Sequence, residues 1–295
     1  MQVECFQRLE ELDELRNAWD ALAQHQIFRS WTWITTWWRH YGLAVGGRSQ
    51  RRELRAIVAF GEEGPAAILP CYVETSWARG RVWRLCGDGE VCSDHLGLLA
   101  DPSRSDSAVQ AIAEFFSERD DWDLLDFAAV DVVDASTRDL GRALRDFGCS
   151  VKESPAPRIW HIDLPDSWDD YLAMLSKSHR KKLRRLEKKE LLSGAMQWRV
   201  VESNQDFERG WQVFRDLHTR RWESLGHFGC FAMPRWRAFH EEVAPKLLAQ
   251  GQLRLAWLER GNRPLAAEYQ FVAGGTVFAY QGGVDPEALG DHPGR

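Results

Sequence analysis

Leu253-Arg254-Leu255-Ala256-Trp257-Leu258-Glu259-Arg260-Gly261-Asn262-Arg263-Pro264-Leu265-Ala266-Ala267 is the stretch on which the fold turns. An apolar, strand-like run meets Gly261-Asn262-Arg263-Pro264, a turn composition, and a second apolar run leaves it. With a further turn at Gly274-Gly275, the spacing predicts three consecutive antiparallel strands over 253–259, 265–273 and 276–283. The pattern has an earlier counterpart. Leu54-Arg55 begins a run that reaches Pro65 just as Leu253-Arg254 begins one that reaches Pro264, and an alanine stands two positions beyond each proline (Ala67, Ala266). Strands over 54–60 and 66–73 follow, joined through Gly61-Glu62-Glu63-Gly64-Pro65. Similar helices precede both hairpins, so the chain reads as a duplicated α/β unit.

Outward from the first hairpin, helices are predicted over 7–26 and 31–41, strands over 81–86 and 95–99, a helix over 105–119, a strand over 123–128 and a helix over 135–147. Ser154-Pro155-Ala156-Pro157 is the best linker, which divides the chain into 1–157 and 158–295. The second part opens with a strand over 158–164 and one long helix from Ser167, paired with Asp170 in a capping pattern, to a stop at Gly194. Ser203 and Asp206 start another helix that ends near Gly226, and a third runs from Pro234 to Gly251. The first copy continues past its third strand, from about residue 87 to 157, whereas only 284–295 follow the third strand of the second. By this internal standard the second unit is expected to lack its last helix–strand–helix portion. The fold class is α/β (α+β), with mixed, largely antiparallel sheets flanked by helices.

Composition excludes several classes. The 295 residues are 44% hydrophobic and 28% charged, which suits a soluble globular chain with a buried core. A formal charge of −6 gives no global attraction to DNA or to an anionic membrane, so any anion site must be local. The start is acidic and amphipathic, unlike a signal peptide, and no run is apolar enough for a membrane span. Six scattered cysteines without a C-x-x-C pair read as reduced, mostly buried thiols of a cytoplasmic protein, and metal-ligand spacing is absent.

The second half carries a family resemblance. Leu175-Ser176-Lys177-Ser178-His179-Arg180-Lys181-Lys182-Leu183-Arg184-Arg185 resembles the basic helix that opens the CelD/BcsL-type acetyltransferase domain of the GNAT superfamily. Leu217-His218-Thr219-Arg220-Arg221-Trp222 resembles its Leu-His-x-x-Arg-Trp helix, and Gly251–Leu255 with Arg263–Ala267 its central hairpin. Tyr280-Gln281-Gly282-Gly283-Val284-Asp285-Pro286 resembles its Tyr-x-x-Gly-x-Asp-Pro strand exit. His292-Pro293-Gly294 stands where the family has Ser-Pro-Gly, and the usual Arg/Gln-x-x-Gly-x-Gly/Ala motif is absent. The resemblance covers about 160–295 and is fainter upstream, where Ser30, Trp31, Trp37, Trp38 and Ser93-Asp94-His95 fit the related region. It implies tandem GNAT-like units similar to the FemABX peptidyltransferases. It also implies acyl transfer from an acyl-CoA, acetyl-CoA in the simplest case, often in exopolysaccharide or cellulose biosynthesis.

Each candidate residue has an ordinary reading beside the chemical one. Trp211, Phe214, His218, Trp222 and Leu225 share a helix face, so His218 is either a core histidine or a general base. Arg221 can hold a carboxylate or phosphate, with Trp222 and Tyr280 beside it in an acceptor site. Glu268 is either a solvent-facing strand residue or a base of raised pKa; Asp285 is a base or, more simply, a turn former before Pro286. Gly282 and Gly283 would line the pantetheine arm, and Pro293 and Gly294 would open a turn for the pyrophosphate. The eight Lys or Arg between Lys177 and Lys189 form a solvated face or meet phosphates of RNA, a nucleotide sugar or a membrane. Trp31, Trp33, Trp37 and Trp38 pack a core or line a sugar groove. The expected partners are a small-molecule or polysaccharide acceptor and, through an open edge of the C-terminal sheet, a second copy of the chain. The other functional classes are a non-catalytic polysaccharide- or partner-binding module and an aminoacyl-tRNA-dependent transferase. The net charge weighs against a large RNA footprint.

Overall fold

The computed structural model describes residues 1–42, 52–155 and 158–294. Ala156 and Pro157 of the expected linker and Arg295 lie outside the described residues. The chain divides into two compact units: the first is Met1–Ala156 with Arg235–Lys246 and Ala273–Gly275, and the second is the remainder from Pro157. Two short pieces of the C-terminal half therefore count with the first unit, which a single cut at 157 does not foresee.

In chain order the first unit is β1 (Gln2–Phe6), α1 (Arg16–Leu22), α2 (Trp31–Trp37), β2 (Arg52–Gly61), β3 (Gly64–Ser76), β4 (Gly80–Leu85), β5 (Leu99–Ala100), α3 (Ser105–Ser117), β6 (Leu124–Leu125) and α4 (Ala135–Asp146). Its sheet runs β1-β2-β3-β4-β6, with β5 on β3. β1 to β4 are antiparallel neighbours, whereas β6 joins β4 in parallel. The strand expected over 123–128 shrinks to two residues, and that expected over 95–99 to Leu99–Ala100. The helix expected over 7–26 is a 3-10 turn at Leu9–Leu15 followed by α1. Ser30 caps α2 by accepting from the Trp33 N–H, and Trp31, Trp33 and Trp37 are buried, which removes them from any sugar groove. α3 buries Ala108, Val109, Ile112, Ala113 and Phe116, a helical stripe laid on β1–β3.

The second unit continues with α5 (Trp168–Met174), α6 (Lys177–Leu186), β7 (Gln197–Val200), α7 (Asn204–Glu223), α8 (Pro234–Ala249, mostly counted with the first unit), β8 (Leu253–Arg260), β9 (Arg263–Ala273) and β10 (Thr276–Val284). Its sheet order is β10-β9-β8-β7. The single helix expected from Ser167 to Gly194 is broken, because Leu175 is extended and Ser176 caps a new start at α6. Residues 158–164 form no strand; their apolar alternation is real, but no strand among the described residues pairs with it and its large side chains are exposed. α7 starts where Ser203 accepts from the Asp206 N–H at 3.3 Å, and it lays Trp211 and Phe214 against Tyr269 of β9.

The two hairpins are copies in register. Leu54 faces Tyr72 and Leu253 faces Phe271. Both ladders slip one residue before the turn, between Ala59 and Phe60 and between Leu258 and Glu259. They then resume as Phe60–Pro65 and Glu259–Pro264. An edge strand precedes each: Gln2 faces Phe60 in one sheet and Gln197 faces Glu259 in the other. A shared bulge at a shared offset, in strands of the same rank in their sheets, is the mark of duplication. Neither β1 nor β7 is foreseen in the sequence.

Candidate functional site

The polar residues of the second half converge where the end of α7 meets β10. An open cleft of about 500 Å³ is lined by Arg221 and Trp222 from α7, Leu225 from the turn after it, Glu268 from β9, and Ala279–Val284 of β10. The glycines of β10 allow this closeness. A Cβ on Gly283 would collide with the α7 backbone at Leu217 and His218, while one on Gly282 would lie 3.3 Å from the Glu268 carboxylate. Tyr280 packs with Tyr269 and Phe271, at 5.7 and 5.1 Å between ring centroids. Gly283 thus faces α7, and Gly282 faces the Glu268 side. Beyond β9, β10 has no strand neighbour among the described residues, which leaves the backbone groups along its outer edge open to a ligand.

Glu268 is half-buried and has no ion-pair partner among the described residues. Burial raises its pKa above the ordinary carboxylate value, and the Gln270 side chain only partly offsets this. His218 is 1% exposed. Its ring sits against Phe214 and Phe231, and Cys230 Sγ lies 3.3 Å from Nε2. Burial lowers its pKa to about 4, although the Gln281 side chain favours the charged ring, so the imidazole is neutral near pH 7. Nδ1 is buried and has no hydrogen-bond partner among the described residues. Gly229 has φ +68, and its missing Cβ makes room for His218 and Trp222.

Asp285 is placed otherwise. It is fully buried; Oδ1 accepts from Arg220 at 2.6 Å and from the Glu287 N–H at 3.1 Å, and Oδ2 accepts from Arg263 at 2.6 and 3.0 Å. Burial alone would raise its pKa, but Arg263, the Glu287 N–H and Arg220 together hold it below the ordinary value. With both oxygens engaged it is a brace and a cap for the 3-10 turn at Pro286–Asp291, a geometry unsuited to a base. Arg220, which the sequence did not single out, makes that brace, while Arg221 borders the cleft without an ion pair among the described residues. Pro293 and Gly294 form a turn after His292, which ends the 3-10 helix with φ 54. Among the described residues no helix N-terminus opens there for a pyrophosphate.

The structure therefore brings together Arg221, Trp222, Glu268, Tyr280, Gly282 and Gly283, with His218 behind them, and sets Asp285, Pro293 and Gly294 apart. Gln281, Gly229 and Cys230 escaped the sequence reading. The Gln281 side chain meets the His218 ring, a contact that no period-two count of the strand foresees.

Comparison with known proteins adds two findings. Residues 177–295 match the family model described as "Acetyltransferase (GNAT) domain", so this part of the chain is a GNAT-type acyltransferase domain. The crystal structure of FemX superposes with a TM-score of 0.62 over 100% of this chain and 83% of that one. At 12% identity the likeness speaks to the fold alone. No curated protein matches the chain.

Proposed function

We propose that this acyltransferase domain moves an acyl group from acyl-CoA to an amine or hydroxyl acceptor in the cleft between the end of α7 and the edge strand β10. The observation that carries the reading is the unpaired, half-buried Glu268 beside Gly282 on an edge strand. The open backbone of β10 at Tyr280–Gly283 would pair with the amides of the pantetheine arm. Glu268 would take the acceptor's proton as its nitrogen or oxygen attacks the thioester carbonyl, and the coenzyme leaves as the thiol once that proton is passed on. Arg221 and Trp222 would hold the acceptor, a small molecule or polysaccharide; the CelD/BcsL-type setting in exopolysaccharide synthesis belongs to this proposal. His218, neutral and bound to Cys230, would position Gln281.

Isothermal titration of acetyl-CoA into the chain tests the donor. Saturable binding that Gly282→Val abolishes, while the circular-dichroism spectrum is unchanged, is the expected result. No binding by the unaltered chain would sink the acyl-CoA reading and bring the binding module forward. A second copy pairing along β10 is also proposed; dimers at high concentration that acetyl-CoA dissociates would support it, because both occupants use one edge.

A further inference from the structure

We propose that the exposed face of α6 docks the second unit onto an anionic lipid surface. Lys177, Lys181, Arg184, Arg185 and Lys188 recur at i, i+4, i+7, i+8 and i+11, which places five cations on one face of α6 and the turn after it. The fold leaves them almost unneutralised. Among the described residues Lys177, Lys181, Arg185 and Lys188 have no carboxylate at salt-bridge distance, and Arg184 reaches only Asp169, itself at the surface. Elsewhere in the same unit Arg199, Arg209, Arg220, Arg260 and Arg263 each find a carboxylate. Like charges a turn apart (Lys177 and Lys181, Lys181 and Arg185, Arg184 and Lys188) repel and work against the helix that holds them. In a chain of net charge −6 such a stripe is a local positive field, and its complement is a dense array of anions.

The apolar flanks decide between kinds of anion. Met174 precedes α6 at 61% exposure and Leu192 follows it at 76%. The stretch leading into α5 exposes Trp160 (93%), Ile162 and Leu164, and Trp168 stands half out of α5 itself. A nucleic-acid backbone would satisfy the cations and leave the aliphatic side chains in water. A bilayer interface takes both, with the lysine and arginine heads among the phosphates and the aliphatic and indole groups at the headgroup–acyl boundary. Among the described residues no helix is long and apolar enough to cross a membrane, so the contact lies in the plane of the surface.

Co-sedimentation of the full chain with vesicles tests this. Binding to phosphatidylcholine mixed with phosphatidylglycerol should be at least about tenfold tighter than to phosphatidylcholine alone, and should weaken as salt is raised. The triple reversal Lys181→Glu, Arg185→Glu, Lys188→Glu should abolish the preference with the melting curve unchanged, since all three side chains are at the surface. Met174→Ser with Leu192→Ser should weaken vesicle binding and leave the salt dependence. Equal binding to both vesicles, or none, overturns the proposal. So does tight binding of single-stranded RNA that the triple reversal destroys and the two serines do not affect, which would give the face to nucleic acid.

Discussion

The two sheets share the order of their first four strands, the hairpin register and the bulge, and two of their differences bear on the site. In the first, β4 gains a parallel neighbour at Val82–Leu124 and Trp83–Leu125; in the second, β10 has none among the described residues. The other difference is a single side chain. Glu268 faces Ala256 in its hairpin, and the residue in the same register of the first unit, facing Ile57, is Leu69, fully buried. One copy spends this position on the core and the other on a carboxylate that the fold does not neutralise. Duplication preserves what the backbone needs, so chemistry shows where the copies stop agreeing.

Glu268→Leu, which gives the second unit the first unit's residue, is the sharpest way to break this contrast. Acyl transfer to any working acceptor should fall by about 10²–10⁴-fold, the range a general base supplies, while stability holds or rises slightly. A variant that keeps its rate would show the difference between copies to be incidental. In the unaltered enzyme the rate should climb with pH through a midpoint above the ordinary glutamate value, because burial raises that carboxyl.

Acid should next reveal what the units have in common. His240 in the first and His218 in the second are both buried, and burial lowers both pKa values, that of His218 from 6.5 to about 4. As pH falls through about 6.5 the unfolded chain takes up protons that the folded chain refuses until about 4. Stability is therefore full above that window and declines across it, by about 3 kcal/mol for His218 alone. Urea unfolding at pH 7 and pH 4 measures the loss; a flat response would mean that neither ring is held neutral.

Gly283→Ala should then cost the second unit about 2 kcal/mol, because the new methyl meets α7 backbone rather than a movable side chain. Thermal melting reads it, and an unchanged midpoint would mean that α7 does not sit where described. Asp285→Asn is the mildest, on the order of 1 kcal/mol by the same measurement, since Arg220 and Arg263 are partly exposed and can turn to water.

The hairpins were legible because turn chemistry and alternation are local, and the second copy confirmed the reading of the first. β1 and β7 were not: five and four residues of mixed polarity acquire strand character only by lying beside β2 and β8. Residues 158–164 show the reverse error, a strand-like alternation with no partner. Of the site, Glu268 was readable as a residue type but not as an unpaired one. The fate of Asp285 depended on Arg220, a residue 65 positions away that no local pattern ties to it.

That brace has a mechanical consequence for β10. Its near end is fastened to β9 through Gly274-Gly275. At its far end the Asp285 amide donates to the Leu265 carbonyl at 2.8 Å, and the Asp285 carboxylate is gripped by arginines from α7 and β9. A strand tethered at both ends bows like a string and does not peel like tape. A guest sliding along the edge therefore meets a fixed stop at the knot of Asp285.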